Sequence, residues 1–224
     1  MAWTNIGAVH QALGKVDEAL DAYERALVHQ RRIGLKEDLG LLNNIGSLLV
    51  IMHREKEGMD YLERVVNIDP TFKNALINLG SHYQDMGKLL ESEKNFRRVI
   101  ISERELAEMD SAISTKSVNS SVMLEIRIAI MLSPICVDAL SMTRERRRIE
   151  NNLMHLLRRP KKDIYMTDLD ASLDRTHFYI QYHGMNDRFV QEMVTEVYLP
   201  PSTPPTRHSN IKFSKCLWPP LSPK

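Results

Sequence analysis

Apolar positions in the first hundred residues recur in three blocks, each built on an aliphatic residue followed by glycine: Ile6-Gly7, Ile45-Gly46 and Leu79-Gly80. Three residues before each aliphatic stands a large apolar side chain, Trp3, Leu42 or Leu76, and three after each glycine stands His10, Leu49 or Tyr83. Twelve after the glycine comes a small residue, Ala19, Gly58 or Ser92. Sixteen after it comes Tyr23, Leu62 or Phe96, and nineteen after it Ala26, Val65 or Val99. Offsets of three and four put residues on one helix face, so each block predicts a pair of helices. The glycine and the small residue clear space where the two helices cross, and the large residues fill the gap between units. Gly14 and Gly87 fall where the first helix of a pair must stop, a place for a left-handed C-cap. Pro70 cannot continue a helix and biases Asp69 away from helical geometry, so the second unit ends there.

Gly46 and Gly80 are 34 residues apart, whereas Gly7 and Gly46 are 39 apart. The five additional residues fall near Arg31–Asp38 and predict an extended second helix or a longer turn. The pattern resembles the tetratricopeptide repeat, a 34-residue helix–turn–helix unit with W, LG, Y, A, F, A and P in this order. Departures are His10 for the usual aromatic, Gly58 for alanine, and Arg31 and Arg104 where proline is usual. The resemblance implies a solenoid in which each unit hides its apolar face against the next, with about three units as the minimum for stability. Trp3, with nothing before it to stack on, is expected to be partly exposed, and the first unit to fray.

The residue directly before each aliphatic–glycine pair is an asparagine: Asn5, Asn44 and Asn78. Asparagine is a weak helix former, and its amide offers two donors and two acceptor lone pairs. One per unit on the inner helix makes a row that can hydrogen-bond the backbone of an extended peptide. The alternative is that these amides satisfy neighbouring turns of the solenoid itself, since polar groups need partners with or without a ligand. The row resembles the asparagine ladder of O-GlcNAc transferases. Asn43, Ser81 and Gln84 are further candidate peptide-binding residues, with Thr4 and Ser47 beside them.

Beyond Ile100 the second helix of the third unit is expected to run on, with Leu106, Met109 and Ile113 continuing its apolar stripe. The polar segment Ser114–Ser121 is expected to break the pattern. Residues 122–133 are strongly apolar and suit a buried helix stopped by Pro134, although their isoleucines also suit a strand. Val137–Leu157 predicts another helix, with Leu140, Ile149, Leu153, Leu156 and Leu157 as its stripe. His177–Tyr182 predicts a short strand. Asn186 or Asp187 is placed to cap a helix running to about Leu199, with Phe189, Val190, Met193, Val194 and Val197 inward. Phe178, Tyr179, Tyr182, Gly184, Asn186, Asp187 and Arg188, following an aliphatic stretch and an arginine-rich helix, resemble a segment of O-GlcNAc transferase and Spindly-like glycosyltransferases. In those proteins the segment precedes the catalytic half. The tail after Leu199 holds seven of the ten prolines and has no strand–turn–helix unit or glycine-rich phosphate loop. It is expected to be disordered, and the abrupt change suggests a truncated product.

The expected fold is mainly α. A tetratricopeptide-repeat α-solenoid of three helix pairs covers residues 1–113, a helical connecting region with one short strand covers 118–199, and a proline-rich tail covers 200–224. Composition changes this little. A net charge of +1 gives no bulk electrostatic reason for a nucleic-acid or membrane partner, and no apolar run reaches the ~20 residues that span a bilayer. The N-terminus lacks the features of a signal peptide. Cys136 and Cys216 form no metal-ligand spacing or disulfide framework, which fits a reducing, cytoplasmic setting. Arg144, Arg146, Arg147 and Arg148, followed by Arg158, Arg159, Lys161 and Lys162, allow a nuclear or nucleic-acid reading. With no aromatics interleaved for base stacking, a solvated helix face is the preferred account. No histidine pair has metal spacing. Tyr182-His183 with Asp187 lacks a nucleophile, and Asp168 and Asp170 suit helix caps. The expectation is therefore a scaffold that binds a polypeptide, with no catalytic residue, metal or cofactor. The alternative is the substrate-binding portion of an O-GlcNAc transferase-like enzyme whose catalytic domains are missing from this chain.

Overall fold

The computed structural model describes residues 2–109, 114–132, 138–160 and 188–198. Its helices, in chain order, are α1 (Ala2–Ala12), α2 (Val16–Arg32), α3 (Leu39–Ile51), α4 (Glu55–Ile68), α5 (Lys73–Asp85), α6 (Leu89–Met109), α7 (Ser114–Ile130), α8 (Ala139–Leu157) and α9 (Arg188–Tyr198). Helices α1–α6 form three antiparallel pairs, each stacked on the next. Among the described residues there is no strand. The strand expected at His177–Tyr182, the cap at Asn186 or Asp187, and residues 199–224 lie outside the described residues, as do Asp168, Asp170 and both cysteines.

The repeat offsets have direct packing causes. A Cβ on Gly7 would lie 2.5 Å from the Tyr23 ring, and one on Gly80 would lie 2.6 Å from the Phe96 ring. A Cβ on Gly46 would meet the Gly58 carbonyl oxygen and Leu62 Cγ, each at 2.9 Å. The glycine thus lets the large residue sixteen positions later lie flat on its backbone. Tyr23 and Phe96 are fully buried as a result. Ser92, at the small-residue position, donates from Oγ to the Gly80 carbonyl at 2.7 Å, which ties α6 to α5 at the crossing.

Turns follow from the same register. Gly14 and Gly87 take left-handed backbone, at φ 71° and 73°. At the equivalent place in the second unit His53 adopts φ 59°, a conformation that costs a side chain with a Cβ ~1–2 kcal/mol. Helix α4 ends at Ile68, with Asp69 extended ahead of Pro70. Arg98 from α6 donates to the Pro70 carbonyl at 2.7 Å and fastens that turn. The five additional residues of the first unit divide between both expected solutions: α2 is three residues longer than α4, and the turn after it is two residues longer. Glu37 in that turn pairs with Arg31 at 3.4 Å and Arg64 at 2.5 Å. Asp38 then caps α3, accepting from Gly40 N at 2.9 Å and Leu41 N at 3.2 Å.

Two hydrophobic cores meet at α7. Leu124, Ile128 and Met131 join the core of the repeat stack. Val122, Ile126, Ala129 and Leu132 join a second core with Ile149, Leu153 and Leu156 of α8 and Val190, Met193, Val194 and Val197 of α9. A helix covered on two flanks needs apolar side chains on both, which explains the apolar stretch 122–132, interrupted at Glu125, which meets Arg104 and Arg159, and at Arg127. Ser114–Ser121 does not break the chain, contrary to expectation, but forms the first turns of α7. Its last serine is buried and donates to Glu103 at 3.1 Å. Two stripe residues were also misplaced: Leu106 and Leu140 are 52% and 50% exposed. The side chain of Met109, and Ile113 as a whole, are not described.

Candidate binding surface on the first helices

Helices α1, α3 and α5 are the first members of their pairs, and they carry the three asparagines at one register position. Asn5 is exposed, whereas Asn44 and Asn78 are half-buried and Asn43 is buried. The last three are joined across helices. Asn78 Nδ2 donates to Asn43 Oδ1 at 3.0 Å, bridging α5 and α3. Asn43 Nδ2 donates to Asn44 Oδ1 at 3.4 Å, and Asn44 Nδ2 to the Tyr23 hydroxyl at 3.4 Å. The Tyr23 hydroxyl donates to Gln11 Oε1 at 2.9 Å. A relay of polar side chains therefore runs from α5 through α3 and α2 to α1. Burial pushes the Tyr23 phenol above its ordinary value, and the Asn44 hydrogen bond pulls it back by less. The hydroxyl stays protonated near neutral pH and can serve as the donor to Gln11.

This arrangement divides the candidate residues. Asn43 is committed to the solenoid, with one donor and one acceptor used between Asn78 and Asn44. Asn44 and Asn78 each use part of their four-fold capacity, and each keeps surface exposure. Asn78 has no acceptor bond to its carbonyl among the described residues. Thr4 and Ser47 are half-buried on the same helices.

Ser81 and Gln84 have a different surrounding. Arg127 of α7 donates from Nη2 to Ser81 Oγ at 2.9 Å and from Nε to Gln84 Oε1 at 3.1 Å. Its guanidinium lies 4.6 Å from the Phe96 ring centroid, a cation–π distance. Ser81 itself donates to the Ile77 carbonyl at 2.8 Å. These two side chains thus join the third pair to α7. Arg127 was not singled out from sequence, although an arginine inside an otherwise apolar run is a signal that it meets a polar partner.

The arginine-rich helix is also partly structural. Arg146 is 3% exposed and pairs with Glu150 at 3.3 Å, and burial pushes the Glu150 carboxyl up more than Arg146 pulls it down. Arg148 donates to the Ile128 and Met131 carbonyls, closing the C-terminal end of α7. Arg159 pairs with Glu125. Arg144, Arg147 and Arg158 are exposed. Among the described residues no three His, Cys, Asp or Glu side chains are grouped to hold a metal ion. No described helix is long and apolar enough to cross a membrane.

No curated protein matches the chain. Among solved structures, a tetratricopeptide repeat protein from Parabacteroides merdae ATCC 43184 gives a TM-score of 0.40 at 16% identity, covering 87% of this chain and 82% of that one. Residues 1–71 match the family model described as Tetratricopeptide repeat. The first two helix pairs lie within the matched span, and the three glycine-centred pairs have the fold of a tetratricopeptide-repeat solenoid.

Proposed function

We propose that the chain is a non-catalytic scaffold that holds an extended polypeptide along α1, α3 and α5, with Asn5, Asn44 and Asn78 meeting the guest backbone. Tetratricopeptide repeats generally mediate protein–protein interactions, and the observation that supports a peptide guest is the asparagine at one register position in all three units. An amide can donate and accept at once, so a row of amides fits peptide groups of any sequence. Asn44 and Asn78 are already oriented by the relay to Tyr23 and Asn43, so little side-chain freedom is lost when a guest arrives.

A peptide library displayed against the full chain supplies a ligand, and titration calorimetry of wild type and the Asn5→Ala/Asn44→Ala/Asn78→Ala variant measures the row. Each lost amide contact removes about 1 kcal/mol, so the triple change should weaken binding by about a hundredfold. Since two of these amides also bond within the solenoid, Asn43→Ala is measured beside it. Loss of affinity in the triple variant, with helicity and Asn43→Ala binding intact, supports the proposal. Unchanged affinity at intact helicity assigns the row to the solenoid alone.

The second reading makes this chain the substrate-gripping portion of an O-GlcNAc transferase-like glycosyltransferase. It rests on the Phe178–Arg188 resemblance, of which only Arg188 is among the described residues. Sequencing the transcript beyond codon 198 in all frames tests it: an open frame encoding a nucleotide-sugar domain is the result it requires.

A further inference from the structure

Helix α1 carries a face that its equivalents in the later pairs keep under cover. Trp3, Ile6, Val9 and Leu13 line one side of it and are 39%, 41%, 59% and 65% exposed. The register positions of the first three hold Leu42, Ile45 and Leu48 in α3, and Leu76, Leu79 and His82 in α5. All six of these are buried. Each of the three helices packs against the second helix of its own pair, α1 on α2, α3 on α4 and α5 on α6. Helices α3 and α5 have in addition the second helix of the pair before, α2 and α4 respectively. The stripe on α1 therefore has the register of a stacking surface, without a stacking neighbour among the described residues.

The composition of α1 points the same way. It contains no Asp, Glu, Lys or Arg, and His10 is its one ionisable side chain. Helix α3, packed between α2 and α4, also contains none, whereas α2 carries four acids and three arginines. A helix face turned to water ordinarily carries charges of both signs. Interface centres are depleted of charge and enriched in tryptophan. Beside the stripe, Arg25 lies 5.1 Å from the Trp3 ring centroid and pairs with Asp21 at 2.9 Å. The rim thus holds both signs, and two such faces can approach without net repulsion.

We propose that a second copy of this chain covers the stripe, α1 against α1 across a two-fold axis. Head-to-tail stacking of copies is closed off, since the face of α6 that would receive another pair is taken by α7, whose Leu124, Ile128 and Met131 join the core of the stack. The stacking surface left to a second copy is the stripe itself. A patch that meets its own copy makes a closed, isologous dimer rather than a filament. The four stripe residues are distinct from the asparagines, so the dimer would present two guest surfaces to one bivalent partner.

The test uses the full chain. Sedimentation velocity between about 1 μM and about 200 μM should show monomer converting to dimer and no larger species. Trp218→Phe leaves Trp3 as the one tryptophan, and its emission should move to shorter wavelength as the dimer forms, which puts Trp3 in the interface. Val9→Gln/Leu13→Gln, at two exposed positions, should weaken the dimer about a hundredfold with helicity unchanged. Ile68→Gln/Leu90→Gln, at exposed apolar positions on α4 and α6, should leave it unchanged. A chain that stays monomeric over the whole range overturns the proposal. So does a dimer that the Val9/Leu13 change leaves at full strength, or one whose formation leaves Trp3 emission where it was. A series of species beyond the dimer overturns the two-fold arrangement. Trp3 emission already at short wavelength in the dilute monomer gives the stripe to another part of the same chain and also overturns it.

Discussion

Replacing Gly58 by alanine sets two effects against each other. Alanine is the residue usual at this place in the repeat, and in an open helix it gains ~1 kcal/mol over glycine. In this chain the new methyl would lie 2.7 Å from the Gly46 carbonyl oxygen, 2.7 Å from Val50 Cγ2 and 3.0 Å from Val50 N. Two of those atoms are backbone of α3, so no rotamer change relieves the contact. Helices α3 and α4 must separate instead, along a crossing lined by the fully buried Leu62 and Leu49. Overpacking of this sort costs ~1–3 kcal/mol. With two of the contacts made to backbone, the cost falls in the upper part of that range, ~2–3 kcal/mol, and less the ~1 kcal/mol of propensity the net expectation for Gly58→Ala is a loss of ~1–2 kcal/mol, read as a fall in the urea midpoint by circular dichroism. For a chain of this size, 1 kcal/mol lowers the thermal midpoint by about 2–4 °C. Lys56→Ala, on the exposed face of α4, controls for helix propensity and should shift stability by less than about 0.5 kcal/mol. A Gly58→Ala chain as stable as wild type, or more so, would show that α3 and α4 are free to move apart and that propensity wins.

His82 is 5% exposed, and its Nε2 finds no hydrogen-bond partner among the described residues; in the preceding unit the same offset holds the buried Leu48. His82→Leu should therefore raise stability by about 1 kcal/mol, since it removes a buried polar atom without a partner, and a lower urea midpoint would contradict this. Asp138 caps α8 by accepting from Ser141 N at 2.6 Å, and this bond holds its carboxyl below the ordinary aspartate value. A lowered folded pKa means the cap contributes above the ordinary aspartate range and is lost as pH falls through the folded value. The Ser141 amide-proton shift should titrate with a midpoint below that of free aspartate, and Asp138→Asn should abolish the titration; a midpoint at the free value would refute the cap.

The six repeat helices were legible because their signals are local and redundant. Gly7, Gly46 and Gly80 each answer to a large residue sixteen positions later, and Gly14 and Gly87 mark the first-helix ends in two of three units. His53 hid the third such end, because the left-handed turn there is imposed by its neighbours rather than chosen by a glycine. The apolar run after residue 121 read correctly as helix, but its start did not, since Ser121 gains its partner from Glu103 on another helix. The asparagine row was visible, whereas the relay that joins it to Tyr23 and Gln11 was not, because those bonds cross sequence separations of 12 to 35 residues. The same holds for Arg127, whose partners Ser81 and Gln84 lie more than forty residues earlier.

Because α7 lends one flank to the repeat stack and the other to α8 and α9, neither side can melt without baring oily surface on its neighbour. The third pair, last in the repeat register, behaves thermodynamically as an interior unit. At the other side of the stack α1 has no such cover among the described residues, and Trp3, Ile6, Val9 and Leu13 are exposed along a single stripe of it.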